Sequence, residues 1–215
     1  TAFALGWRPD MSGVKWTNKK VAIIGAGFGG LAMSIRLLQS QINDFVILEK
    51  TNDVGGTWRE NQYPGAACDV QSHMYSLSFA PKTDWSKRYA EADEIFDYIQ
   101  EITTQYKLRD YCKFNHEVTN ATFDENRNVW TLKFKDQPTL EAQFVIFASG
   151  PLHVPQIPHL KGIENFKGKV IHSSQWDHNY DLKGKSVASI GTGGSAIQYI
   201  PEIAKDVKQL YVFQR

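Results

Sequence analysis

The stretch Lys19-Lys20-Val21-Ala22-Ile23-Ile24-Gly25-Ala26-Gly27-Phe28-Gly29-Gly30 decides how this chain folds. Lys19 to Ile24 reads as a short buried strand that ends in a cluster of glycines. Leu31, Ile35 and Leu38 then recur at the spacing of one helix face. Asn43-Asp44 breaks that helix, Phe45 to Leu48 is a second apolar run, and Glu49 stands at its end. Strand, glycine turn, helix and strand make the opening unit of a parallel α/β sheet. The glycine spacing fits a dinucleotide at Gly25, Gly27, Gly29 and Gly30: a tight turn at Gly25, close backbone approach to a pyrophosphate at Gly27, and helix-on-strand packing at Gly30. The helix N-terminus attracts the phosphate charge. Glu49, 24 positions after Gly25, is placed to accept hydrogen bonds from a ribose diol. A carboxylate there suits FAD or NAD and repels a 2′-phosphate.

A second glycine turn, Gly191-Thr192-Gly193-Gly194-Ser195-Ala196, repeats the pattern as G-x-G-x-x-A. Ser186 to Ile190 reads as the strand before it, Ser195 to Asp206 as the helix after it, and Gln209 to Phe213 as the next strand. Pro201 falls inside that helix, removes one hydrogen bond and should bend it. No acid ends the last strand; Arg215 does, and a guanidinium suits a 2′-phosphate through a bidentate contact. That favours NADPH over NADH. Two dinucleotide sites on one chain point to two cofactors that meet, a flavin and a nicotinamide.

Between these units lie three further regions. Lys50 to about Lys87 is irregular and rich in Gly, Pro, Asn and Ser, and a loop of that length is either functional or disordered. Its aromatics and the Tyr63-Pro64-Gly65 turn favour function. Ile95, Ile99, Ile102 and Tyr106 mark one face of an amphipathic helix. Glu117–Phe123, Val129–Phe134 and Glu141–Phe147 read as a small meander plus a return strand into the main sheet. Three prolines, Pro151, Pro155 and Pro158, then make a stiff crossing.

Composition narrows the function classes. The 215 residues carry a net charge of +1 with Lys and Arg scattered, which argues against nucleic acid as a partner. No apolar run is long enough to cross a bilayer, and Thr1 to Asp10 lacks the layout of a secretory signal. Cys68 and Cys112 form no C-x-x-C pair. A reduced, cytoplasmic setting is the expectation.

Two motifs carry a family resemblance. The loop from Gly55-Gly56-Thr57-Trp58 through Tyr63-Pro64-Gly65 to Asp69 matches G-G-x-W, Y/F-P-G and a later Asp. Phe166-x-Gly168-x-x-x-His172-x-x-x-Trp176-Asp177 matches F-x-G-x-x-x-H-x-x-x-W-[P/D]. Together with both glycine turns they resemble the type I Baeyer–Villiger monooxygenases, over nearly all of residues 19 to 215. The resemblance implies two Rossmann-like dinucleotide-binding domains: an FAD domain at 19–150, a linker with the second motif at 151–184, and the start of an NADPH domain at 185–215, after an N-terminal extension at 1–18.

It further implies that Thr57, Trp58 and Asp69 sit beside the flavin, with Tyr75 and Val118 as further FAD contacts. Asp69 would orient an arginine, outside this sequence, that stabilises a flavin C4a-peroxide. By its chemistry alone His172 could be a general base, a metal ligand or a hydrogen-bonding post. His172 and His178 have no Cys or carboxylate pair at ligand spacing, which argues against a metal. The resemblance makes His172 and Trp176 hinge residues that couple cofactor motion to flavin state.

The implied activity is insertion of one oxygen atom of O2 next to a ketone carbonyl, giving an ester or lactone at the expense of NADPH. Rivals are N- or S-oxygenation, a disulfide reductase, for which the cysteine pair is lacking, and a non-catalytic nucleotide-binding fragment. The second unit offers only strand, helix and strand, so the expectation is that the remainder of a parent chain completes the site, and that residues 1–215 alone are inactive.

Overall fold

A strand flanked by parallel neighbours on both sides loses both its faces to the interior, so its sequence can be apolar throughout. β1 (Lys19–Ile24) and β2 (Phe45–Leu48) are such strands, joined by helix α1 (Phe28–Gln39). The computed structural model describes residues 19–152 and 154–214; the extension at 1–18 and Arg215 lie outside them. Val21, Ile23, Phe45 and Ile47 point to one face of the sheet and join Leu31 and Ile35 of α1 in one core. Ala22, Val46 and Leu48 point the other way into a second core. Each fully buried Leu, Ile or Phe contributes about 1.5–3 kcal/mol.

The loop after β2 is packed and held, with Trp58, Tyr75, Leu77, Phe79 and Trp85 against the core. It contains one short helix, α2 (Thr57–Glu60), and leads into α3 (Ala92–Gln105). Ile95, Ile99 and Ile102 of α3 are buried, as their spacing predicts, together with Tyr98 and Thr103. The Tyr98 hydroxyl ties the loop down: it donates to the Ala80 carbonyl at 2.7 Å and accepts from the Leu77 amide at 2.9 Å. The Cys68 amide donates to the Ala90 carbonyl, and the Ala92 amide to the Ala66 carbonyl.

A two-residue strand, β3 (Cys112–Lys113), pairs parallel with β2 and has no periodicity that a sequence could reveal. Then come β4 (Val118–Asp124), β5 (Val129–Phe134) and β6 (Leu140–Phe147). They form the expected meander, and β6 is also the return strand, parallel to β1 from Lys19↔Ala142 to Ile24↔Phe147. The sheet therefore runs β3-β2-β1-β6-β5-β4. Leu132 and Leu140 of the meander close the second core.

The second unit is β7 (Ser186–Ile190), α4 (Gly194–Ile203) and β8 (Gln209–Phe213). β7 and β8 pair in parallel as a separate two-stranded sheet. Pro201 does lie inside α4. Ala196 and Ile203 of the helix are buried, while Ile190, Tyr211 and Phe213 of the strands are each more than half exposed. The architecture is α/β, with two units of the dinucleotide-binding type. Among the described residues no helix is long and apolar enough to cross a membrane.

Candidate functional site

The carboxyl ends of β1 and β2 open into a cleft of about 500 Å³. Its floor is the first glycine turn. Gly25 adopts φ +103°, and a Cβ there would stand 2.6 Å from the Ala148 carbonyl oxygen. A Cβ on Gly30 would stand 2.0 Å from the Gly25 carbonyl oxygen, so α1 can start where it does only without a side chain at that point. The first intrahelical bond runs from the Leu31 amide to the Gly27 carbonyl at 3.0 Å. The amides before it have no partner within the helix, and the first turn of α1 carries no acid. This end of α1 is suited to an anion.

Glu49 is buried and works on the turn itself. One carboxylate oxygen, Oε2, accepts the Ala26 amide at 2.8 Å. The other, Oε1, accepts the Thr51 amide at 2.9 Å and the Thr51 hydroxyl at 2.8 Å. The Ala26 carbonyl in turn accepts the Gly55 amide at 3.0 Å, which fixes the turn from its other side. A carboxylate offers about four acceptor sites. Three are taken by the chain, and Glu49 still lines the cleft. Beside the expected ribose contact, Glu49 thus has a structural task in the turn.

The G-G-x-W loop forms the opposite wall. Thr57, Trp58 and Asp69 line the cleft, with Tyr75 and Val118. The Trp58 indole donates to the Tyr75 hydroxyl at 3.0 Å, and the two rings meet edge to face at 5.5 Å. Phe28, the first residue of α1, meets Tyr75 edge to face at 5.4 Å. Burial pushes the Tyr75 phenol up from its ordinary pKa, so it stays a neutral donor and acceptor through the physiological range. Asp69 is exposed at the rim.

The structure thus brings together Gly25, Gly27, Gly29, Glu49, Thr57, Trp58, Asp69, Tyr75 and Val118; Gly30 supports the turn from behind. It also places His116 and Glu117, just before β4, and Ser149, Gly150 and Leu152, just after β6, on the cleft. Sequence reasoning missed these. The segment at Pro151 read only as a stiff crossing, although chain leaving a parallel strand's carboxyl end belongs at a site of this type.

The other predicted residues lie elsewhere. Gly191, Thr192, Gly193, Gly194, Ser195 and Ala196 form the turn into α4; open space surrounds the Cβ positions of Gly191, Gly193 and Gly194. His172 and Trp176 do not line the cleft. His172 caps a single helical turn: its Nδ1 accepts the Ser174 amide at 3.3 Å and lies 2.8 Å from the Ser174 hydroxyl. Trp176 packs on Tyr199 of α4 with ring centroids 5.5 Å apart. Asp177, beside it, pairs with Lys169 at 2.7 Å, and that hydrogen bond holds its carboxyl below the usual range.

The two cysteines are free. Burial pushes the Cys68 thiol up, and pushes Cys112 to about 12. Neither is poised as a thiolate. Among the described residues no group of three His, Cys, Asp or Glu side chains is set to hold a metal ion.

The chain is similar to known proteins over most of its length. A family model described as pyridine nucleotide-disulphide oxidoreductase matches residues 22–215. A Baeyer-Villiger monooxygenase of Pseudomonas aeruginosa is 50% identical over 196 residues, covering 91% of this chain and 37% of its own length. One of Streptomyces coelicolor is 46% identical over 196 residues, covering 91% and 38%. The oxidized steroid monooxygenase bound to NADP superposes with a TM-score of 0.85 at 39% identity, over 93% of this chain and 39% of that one. The OTEMO complex with FAD and NADP gives 0.86 at 34% identity, over 94% and 39%. The chain therefore spans under two fifths of the length of these two Baeyer-Villiger monooxygenases.

Proposed function

The chain belongs to the pyridine nucleotide-disulphide oxidoreductase family, and on that footing we propose that it serves an FAD- and NADPH-dependent monooxygenase of the Baeyer–Villiger type. The observation that carries the proposal is the cleft, in which the start of α1, the Glu49 carboxylate and the Trp58–Tyr75 pair face one space. Its volume of about 500 Å³ lies in the range of cofactor sites. The family's name includes disulphide chemistry; two free thiols, both raised by burial, do not support that chemistry here.

The cleft residues would hold FAD, whose chemistry would supply hydride acceptance from NADPH and activation of O2, one oxygen atom entering beside the ketone carbonyl and the other leaving as water. The residues of this chain supply binding and order. The amides at the start of α1 would hold the pyrophosphate, and the remaining acceptor site of Glu49 the ribose. Thr57, Trp58, Asp69, Tyr75 and Val118 would stand along the flavin. The apolar faces of Trp58 and Tyr75 would exclude water from it. Gly191 to Ala196 would take the NADPH pyrophosphate, and Arg215 its 2′-phosphate.

His172 and Trp176 are hinge residues in this reading, with Trp176 seated on α4 and His172 shaping the turn that carries it. Product analysis tests the reading. With NADPH and FAD, the protein carrying this chain should convert a ketone to an ester or lactone in preference to converting a thioether to a sulfoxide. Sulfoxide or N-oxide as the dominant product would assign it to the N- or S-oxygenating relatives instead.

A further inference from the structure

Among the contacts between the two dinucleotide units is one side chain that the functional reading leaves unused. Gln198 sits on α4, five positions after Gly193. Its carboxamide reaches across to the loop of the first unit. Oε1 accepts the Tyr63 hydroxyl at 2.8 Å and the Ala67 amide at 3.3 Å. Nε2 donates to the Ala67 carbonyl at 2.9 Å. The amide therefore grips Ala67 by both its backbone groups, as a neighbouring strand would. The loop backbone is pressed against the same helix: a Cβ on Gly65 would stand 2.8 Å from the Gln198 carbonyl oxygen.

The next residue of α4 extends the contact. The Tyr199 ring lies between Tyr63, at 6.2 Å, and Trp176, at 5.5 Å, and its hydroxyl bonds the Ser189 hydroxyl on β7 at 2.8 Å. Two positions beyond Ala67 is Asp69, on the rim of the cleft. Movement of α4 thus reaches the cleft through Ala67, and movement of the Trp176 segment reaches α4 through Tyr199.

We propose that Gln198 is a positioning residue that fixes the helix of the second glycine turn against the cleft of the first, and so sets the alignment of nicotinamide and flavin. The chemistry of the carboxamide explains the choice of residue. Only an amide side chain offers an acceptor and a donor side by side to both groups of one peptide. A carboxylate would keep the acceptor for Tyr63 and set a negative oxygen against the Ala67 carbonyl.

The inference rests on the proposed use of both cofactors, and its test reads hydride transfer and loop exchange rather than oxygenation. In protein carrying this chain and loaded with FAD, Gln198→Ala should slow flavin reduction by NADPH about tenfold or more, as expected for loss of hydrogen bonds that orient a reactant. Affinity for FAD should stay within about twofold, because α1 and Glu49 are untouched. Hydrogen exchange at the Ala67 amide should quicken about tenfold once its acceptor is gone. Gln198→Glu should resemble the alanine variant, whereas Tyr63→Phe, which leaves both Ala67 bonds in place, should retain most of the parental rate. Should Gln198→Ala fail to fold, Gln198→Glu carries the same comparison.

Parental reduction rate in the alanine and glutamate variants would overturn the proposal. So would parental exchange at Ala67, which needs no turnover to be read. Loss of FAD in step with slower reduction would overturn it as well, since it would show general loosening of the fold. Absence of ester from the unmutated protein would sink the monooxygenase reading alone and leave both readouts standing.

Discussion

Glu49 holds the cleft together before any cofactor arrives. Its three hydrogen bonds pin Ala26 and Thr51. Glu49→Ala leaves the buried Ala26 amide without its acceptor, which costs about 1–3 kcal/mol of stability, and weakens FAD by a similar amount if the ribose uses the fourth site. Thermal melting with and without FAD, together with a flavin titration, measures both. Unchanged flavin affinity in a destabilised variant would leave Glu49 a purely structural staple. Cys112 gives a pH signature. Its folded pKa, about 12, lies above the ordinary thiol value of 9.0. The neutral form is therefore favoured in the fold, and the stability this gives is complete below pH 9 and lost as pH rises toward 12. Cys112→Ala should show a shallower alkaline loss of stability than the parent; equal slopes in denaturation series between these limits would contradict it.

At the scale of elements, the β1–α1–β2 unit depends on close approach at one glycine. Gly30→Ala would drive a methyl to within 2.0 Å of the Gly25 carbonyl oxygen. Backbone must move, at a cost of at least about 1–3 kcal/mol, and the amides that face the cleft move with it. The variant should melt lower and lose FAD affinity together, as a melt and a titration would show. This unit was legible in the sequence because strands buried on both faces need unbroken apolar runs, and a tight turn needs glycine. α3 was legible because Ile95, Ile99 and Ile102 fall on one face. β3 was not, since two residues carry no period. The Gln198 grip was not either: it joins positions 131 apart, and a glutamine on a helix reads as surface until its partner is seen. The hold of Glu49 on Ala26 and Thr51 was hidden for the same reason, because a sequence shows a carboxylate's place and not the amides that fold back onto it.

For the whole molecule, the arrangement is two dinucleotide-type units meeting where one clasps the loop of the other. The first unit has a cleft with its walls in place. The second turn is open, with space around its glycines. In the proposed reading each unit carries a glycine turn for one cofactor, FAD at the first and NADPH at the second. The central claim is that oxygen from O2 is inserted beside a ketone by that pair. The most direct test supplies FAD, NADPH, isotopically labelled dioxygen and a set of cyclic, linear and aryl ketones to the full-length protein carrying this sequence. The account predicts an ester or lactone that contains one labelled oxygen atom, formed only with NADPH. NADPH oxidation whose labelled oxygen appears in hydrogen peroxide alone, with no labelled ester from any ketone, would contradict it.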